Sequence, residues 1–190
     1  MLRSIAAFAL LVAANAGVLA RPIHIVAFGD SNTAGYLVPR AQAYPAQLQA
    51  ELRKRGYDVT VTNQGINGDT FARALMRFDA AIAPGTDIAI VEFGANDRRR
   101  GVSMATIRAQ LTELIHALRK RGLQVMVIGS GGLDFSGVAK ANGALYALWH
   151  LPSGKYRASD YAHYNAQGYA IVVAQMLPQI EALISRLPPR

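Results

Sequence analysis

Apolar residues run continuously or in alternation over 23–28, 59–62, 88–93 and 124–128, and each run passes into a Gly- or Asn-rich segment. Between them, apolar positions recur at helical spacing over 44–55, 71–82, 104–121 and 166–185. Short apolar runs predict strands covered on both faces, and the i, i+3, i+4 recurrence predicts amphipathic helices. Pro45 falls in a first turn, where proline is tolerated, whereas Pro178 lies inside the last pattern and predicts a kink or the end of that helix's first half. Strands alternating with helices make this an α/β chain, with a parallel sheet between two helical layers. A sheet of about five strands needs one more, and 144–149 is the weak candidate.

A repeated context supports this plan and changes the meaning of the charge. The chain has 190 residues and a formal net charge of +8, which invites a nucleic-acid reading. Two of its three basic triplets, however, lie in Leu52-Arg-Lys-Arg-Gly56 and Leu118-Arg-Lys-Arg-Gly122, each at the end of a helical pattern and just before a strand. Cations there complement the helix dipole, and Gly releases the chain from the helix. With no basic patch interleaved with aromatics, nucleic acid is not an expected partner. The third triplet, Arg98-Arg99-Arg100, fits no predicted helix end. It either attracts an anionic substrate or is a solvated loop, the plainer reading.

Residues 1–20 stand apart. Arg3 precedes an apolar run from Ile5 to Ala14, no acid is present, and small residues follow at Ala14-Asn15-Ala16 and Val18-Leu19-Ala20. This is the layout of a secretory signal peptide, with a retained anchor as the other reading. The run is shorter than the about 20 apolar residues of an ordinary transmembrane helix. The expectation is a secreted or periplasmic protein with one domain over 21–190 and no stable membrane insertion after cleavage. Removal of 1–20 takes away Arg3 alone, so +8 becomes +7 and the basicity belongs to the domain. Residues that are 52% apolar and 17% charged can fill a core, and the absence of cysteine removes disulfides, thiolate metal sites and a cysteine nucleophile.

Ligands of open parallel sheets bind beyond the carboxyl ends of the strands. Those ends carry Gly29-Asp30-Ser31, then Asn63-Gln-Gly65-Ile-Asn-Gly68-Asp69-Thr70, then Gly94-Ala95-Asn96-Asp97, while Asp160-Tyr-Ala-His163 precedes the last helix. A serine becomes a nucleophile when a base takes its proton, and an imidazole serves when its other nitrogen is held by an acceptor. Asp160 and His163 supply acceptor and base from one turn, with Ser31 as nucleophile. The Ser31 amide, the Gly68 amide and the Asn96 side chain are candidate donors to a tetrahedral oxyanion. These are the parts of an acyl-transfer site, expected to work with neither cofactor nor metal.

Taken together, the four blocks resemble those of the SGNH hydrolases, the GDSL-type lipases and esterases, over almost the whole chain after residue 20. Residues 63–70 are similar to the matching block of the small secreted bacterial thioesterase, lysophospholipase and arylesterase branch. The resemblance implies a flavodoxin-like α/β/α fold and hydrolysis of carboxylic esters or thioesters of small or lipid-like acyl substrates. Three departures stand out: Asn32 where the family most often has Leu, Tyr161 and Tyr164 where it commonly has Gly and Pro, and only about thirty residues from Ile128 to Asp160. The last predicts a trimmed helix or strand and a changed substrate pocket.

Plainer roles remain open for the same residues. Ser31 fits a helix N-cap, and Asn96 and Asp97 fit a turn, as do Asn63 and Asp69. His24 and His116 fall in strand and helix patterns, and His150 beside Trp149 is the rival base. Ser130 lies in a Gly-rich loop without the pattern of a nucleophile elbow. Two alternatives to a (thio)esterase are a carbohydrate O-deacetylase of the same superfamily and a catalytically silent ligand-binding protein of the cell envelope. Acyl chain length and oligomeric state are not legible.

Overall fold

The computed structural model describes residues 21–189, and the predicted signal segment, 1–20, lies outside them. Five strands form one sheet: β1 (Ile23–Gly29), β2 (Val59–Gly65), β3 (Ile88–Glu92), β4 (Gln124–Gly129) and β5 (Leu145–Leu148), in the order β2-β1-β3-β4-β5. Every neighbouring pair is parallel. Alternation along the strands divides the apolar side chains between two faces. Ile25, Ala27, Ile88, Ile90, Met126 and Ile128 pack beneath α2 (Tyr44–Lys54) and α8 (Ala166–Ile184). Val26, Phe28, Ala89, Val91, Val125 and Val127 face α3 (Phe71–Met76), α4 (Phe78–Ala81), α6 (Met104–Lys120) and α7 (Ser136–Ala141). Two cores back to back across one sheet make the three-layer α/β/α arrangement that the sequence predicts.

Both helix-end triplets behave as their context predicts: Arg55 and Arg121 cap α2 and α6, and Gly56 and Gly122 follow at φ +90° and +82°. Three details differ. The pattern over 71–82 is two helices, broken at Arg77, whose guanidinium turns to Asp69 and to the carbonyls of Gly29 and Gln64. Pro178 does not end α8; its position and that of Ala174, the carbonyl it leaves unbonded, face solvent, where water can take the place of the missing N–H. The short 129–159 region still holds both α7 and β5, each reduced to a few residues, so the trimming lies in their lengths.

Strand order reverses between β1 and β3, because the chain leaves β1 toward β2 and then returns across it. This switch point opens a crevice at the carboxyl ends, flanked by the turns after β1 and β3. The turn after β1 is α1 (Ser31–Ala34), which closes so tightly over the sheet that a Cβ on Gly29 would lie 2.0 Å from Thr33 Oγ1 and 2.6 Å from the Glu92 carbonyl oxygen. Gly29→Ala is therefore expected to lower stability by about 1–3 kcal/mol through overpacking, read as a reduced urea midpoint at unchanged slope. A midpoint equal to that of the wild type would show that this turn is looser than described.

Candidate active site

The Asp30 side-chain oxygen Oδ1 accepts from the Asn32 N–H at 3.0 Å and caps α1, which leaves Ser31 as the first residue of that turn with its side chain on the crevice. The loop before α8 brings the opposite component. Asp160 Oδ1 accepts from the backbone N–H groups of Ala162 and His163, both at 3.0 Å, and Oδ2 meets His163 Nδ1 at 2.5 Å. His163 Nε2 in turn lies 2.8 Å from Ser31 Oγ. These bonds hold the Asp160 carboxyl down at about 2, the backbone N–H of His163 being the largest influence. With Asp160 ionised and accepting from Nδ1–H, Nε2 is the lone-pair nitrogen and accepts from the Ser31 hydroxyl. The Tyr36 ring stands edge-on to the imidazole, 4.9 Å between centroids.

The other histidines lie elsewhere. His116 Nε2 is 2.8 Å from Asn142 Oδ1, and His150, the rival base, is tied through its backbone to Gln175. His24 is exposed on β1. His163 is the histidine that meets Ser31.

Three groups were candidate oxyanion donors. No acceptor among the described residues engages the N–H of Ser31 or of Gly68, the latter at φ +74° in a turn that a side chain would strain. Asn96 sits deeper, 3% exposed, and both hydrogens of its amide are in use: Nδ2 donates to Asp30 Oδ2 at 3.0 Å and to the Asp69 carbonyl at 2.8 Å. Asp97 accepts from the Phe71 N–H and fixes the start of α3, a structural role. Asp69 is fully buried and paired with Arg77 at 2.8 Å, more than the turn residue predicted, while Asn63 does make the expected turn by accepting from Gly65 N–H.

Several contributors were not singled out in the sequence. Glu92, the last residue of β3, is fully buried and accepts from Ser130 Oγ at 2.7 Å, Thr33 Oγ1 at 3.2 Å and Asn32 Nδ2 at 3.3 Å. Asn32 thus has a polar partner where an apolar Leu would have none, and Ser130 is a ligand of Glu92 rather than a plain loop residue. Burial, then the neighbouring Glu92 charge, push the Asp30 carboxyl well above the carboxylate range. The two buried carboxyl groups lie close together beneath the Ser31 turn. A lone acid closing an apolar strand was the available signal for Glu92.

The arginine triplet is likewise more than a solvated loop. It spans the end of a short helix, α5 (Ala95–Arg99), and each side chain donates to a different part of the site. Arg98 reaches the Gly131 carbonyl at 3.0 Å, Arg99 the Asn96 side-chain oxygen, and Arg100 the Gly68 carbonyl at 3.0 Å. A cavity of about 300 Å³ opens over Ser31 and His163, bordered by Arg98, Arg99, Arg157 and Tyr161. Tyr161 occupies the left-handed region at φ +57°, which rationalises the family's preference for Gly there, and its ring is 83% exposed at the rim. Tyr164 is buried against Trp149 and Tyr169, filling the space that a Pro would leave.

The model of the GDSL-like lipase/acylhydrolase family matches residues 27–171. The chain belongs to that family. It is 34% identical over 105 residues to an arylesterase of Vibrio mimicus, aligned over 55% of this chain and 52% of that protein. It is 33% identical over 106 residues to esterase TesA of Pseudomonas aeruginosa, over 55% and 53% respectively. The chain thus spans about half the length of these curated relatives. Among solved structures, AlinE4, an SGNH-hydrolase family esterase, superposes with a TM-score of 0.69 at 26% identity, covering 90% of this chain and all of that one. A TesA crystal structure superposes at 0.75 over 84% of this chain and 99% of that one, and at 24% identity it bears on the fold alone. Among the described residues no helix is long and apolar enough to cross a membrane, and no group of three or more His, Asp or Glu is placed to hold a metal ion.

The Asp30 proton makes a testable difference to stability. Unfolded, Asp30 ionises near 3.8; folded, it stays protonated well above that, so over the interval between the native state binds more protons. Its contribution to stability therefore falls as pH rises. Between about pH 5 and about pH 8 the urea midpoint of the wild type should decline more steeply than that of Asp30→Asn, which carries no such proton. Parallel declines in the two proteins would show that Asp30 is ionised in the fold.

Proposed function

We propose that this protein is a serine esterase of the GDSL type, which hydrolyses carboxylic esters or thioesters through an acyl-enzyme. The observation that carries this reading is the unbroken series of hydrogen bonds from Asp160 through His163 to Ser31 Oγ, at 2.5 and 2.8 Å, opening on a cavity at the switch point of the sheet. Ser31 Oγ attacks the acyl carbon while His163 Nε2 takes its proton. Asp160 keeps the imidazole in the tautomer that can do so and stabilises the imidazolium that results.

The carbonyl oxygen becomes an oxyanion facing the N–H groups of Ser31 and Gly68. For Asn96 to join them, its Nδ2–H must exchange the Asp30 acceptor for the oxyanion. A protonated Asp30 favours that exchange, because a neutral carboxyl is a weaker acceptor than a carboxylate. The intermediate collapses as His163 returns the proton to the leaving oxygen or sulfur. Water, deprotonated by His163, then attacks the acyl-Ser31 ester, and the acid departs. Substrates in this reading are small-molecule or lipid-like esters. The signal pattern in 1–20 supports export to the periplasm or beyond.

Ser31→Ala is expected to abolish turnover of 4-nitrophenyl acetate. Asn96→Ala should lower kcat on the order of 10²–10³, the usual cost of losing one oxyanion donor. Steady-state release of 4-nitrophenolate measures both, with circular dichroism to show that the variants are folded. Retained turnover in folded Ser31→Ala would refute the mechanism.

A further inference from the structure

The cavity over Ser31 carries more positive charge than a neutral ester requires. Arg98, Arg99 and Arg157 all border it, and none of them forms an ion pair with a carboxylate among the described residues. Other arginines of the domain do: Arg21 with Asp87, Arg55 with Glu51, Arg77 with Asp69 and Arg121 with Asp79. The one acid on the cavity wall is Asp30, which is buried, has its carboxyl pushed well above the carboxylate range by burial and Glu92, and forms no ion pair with these arginines. Asp160 lies behind His163 and is engaged there.

The guanidinium groups are also held in place with donors to spare. Arg98 spends one N–H on the Gly131 carbonyl, and Arg157 spends one on the Ala162 carbonyl at 2.7 Å while stacking 4.7 Å over the Tyr164 ring. A guanidinium has five N–H donors in a planar fork suited to carboxylate and phosphate oxygens. Two pre-placed forks beside Ser31, neither of them ion-paired with a carboxylate among the described residues, describe an anion subsite. Arg157 lies on the loop that carries His163, which returns its proton to the leaving group, so the anion belongs on the leaving-group side of the ester.

We propose that Arg98 and Arg157 form an oxyanion-group subsite beside Ser31, selecting esters whose leaving group carries a carboxylate or a phosphate. This rests on the esterase reading and goes beyond it by assigning the class of leaving group. Three aryl acetates test it: 4-acetoxybenzoate, 4-acetoxyphenyl phosphate and, as neutral reference, 4-acetoxybenzamide. Each kcat/KM is divided by the rate of that ester's hydroxide hydrolysis, and the quantity read is the anionic-to-neutral ratio.

The wild type should favour at least one anion, and which of the two is favoured assigns carboxylate or phosphate. Arg98→Ala should lower that ratio by about fivefold, the scale of one solvent-screened ion pair, and Arg98→Glu should lower it further. Raising salt from about 0.05 to about 0.5 M should weaken the wild-type preference, since the arginines are exposed to screening. Equal ratios in wild type and both Arg98 variants, with the neutral ester still cut in a Ser31-dependent way, would overturn the subsite and leave the esterase reading standing. No Ser31-dependent hydrolysis of any of the three esters would instead overturn the esterase reading, and the subsite with it.

Discussion

Two carboxyl groups buried side by side, Asp30 at the end of β1 and Glu92 at the end of β3, cannot both be ionised at small cost, and the site is built around that constraint. The Glu92 carboxyl is met by hydroxyl and amide donors from two separate segments: Asn32 and Thr33 after β1, and Ser130 after β4. Asp30 adds a third through Asn96 after β3. Turns that follow different strands are thereby locked to one polar centre under Ser31. An apolar floor would pack the layers together without fixing the turns to each other; a network of hydrogen bonds fixes them in register.

Above that floor the proposed acceptor and base come from the far end of the chain. The loop 160–163 folds on itself through the Asp160 carboxylate, which collects two backbone N–H groups and the imidazole, so acceptor and base arrive as one rigid unit. Its position over Ser31 is set by α8, whose Tyr169 hydroxyl donates to the Asn32 carbonyl at 2.8 Å, and by the aromatic cluster of Trp149, Tyr164 and Tyr169. On the opposite side, Arg99 and Arg100 hold Asn96 and the Gly68 peptide, two of the three candidate oxyanion donors. The basic triplet thus joins the hydrogen bonding of the site to its electrostatics, and the net charge of the chain acquires a local meaning.

Much of this was legible in the residues, and the reasons for the rest are physical. Strand periodicity and the repeated Leu-Arg-Lys-Arg-Gly context locate four strands and the ends of two helices because burial and capping are local constraints. Ser31, Gly68, Asn96, Asp160 and His163 were visible because strand ends and short spacings bring chemistry-bearing residues to one rim. Glu92 was hidden, since nothing in an otherwise apolar strand tells whether a terminal acid turns inward, and its partners come from positions 32, 33 and 130. The break at Arg77 and the bonds of Arg98 and Arg100 escaped for the same reason: each involves a backbone carbonyl distant in sequence, Gly29 for Arg77, Gly131 for Arg98 and Gly68 for Arg100. Pro178 shows the converse: a strong local signal for a helix end is overridden where that side of α8 faces solvent.

The central claim is that the Asp160–His163 pair activates Ser31 and no other hydroxyl. Reaction with a fluorophosphonate, followed by peptide mass spectrometry, tests it directly, because the reagent bonds covalently to a serine that a neighbouring base has made nucleophilic. The account predicts a single adduct on Ser31, formed at a rate that collapses in His163→Ala. An adduct on Ser130 or any other residue, or equal labelling of Ser31 with and without the His163 imidazole, would contradict it.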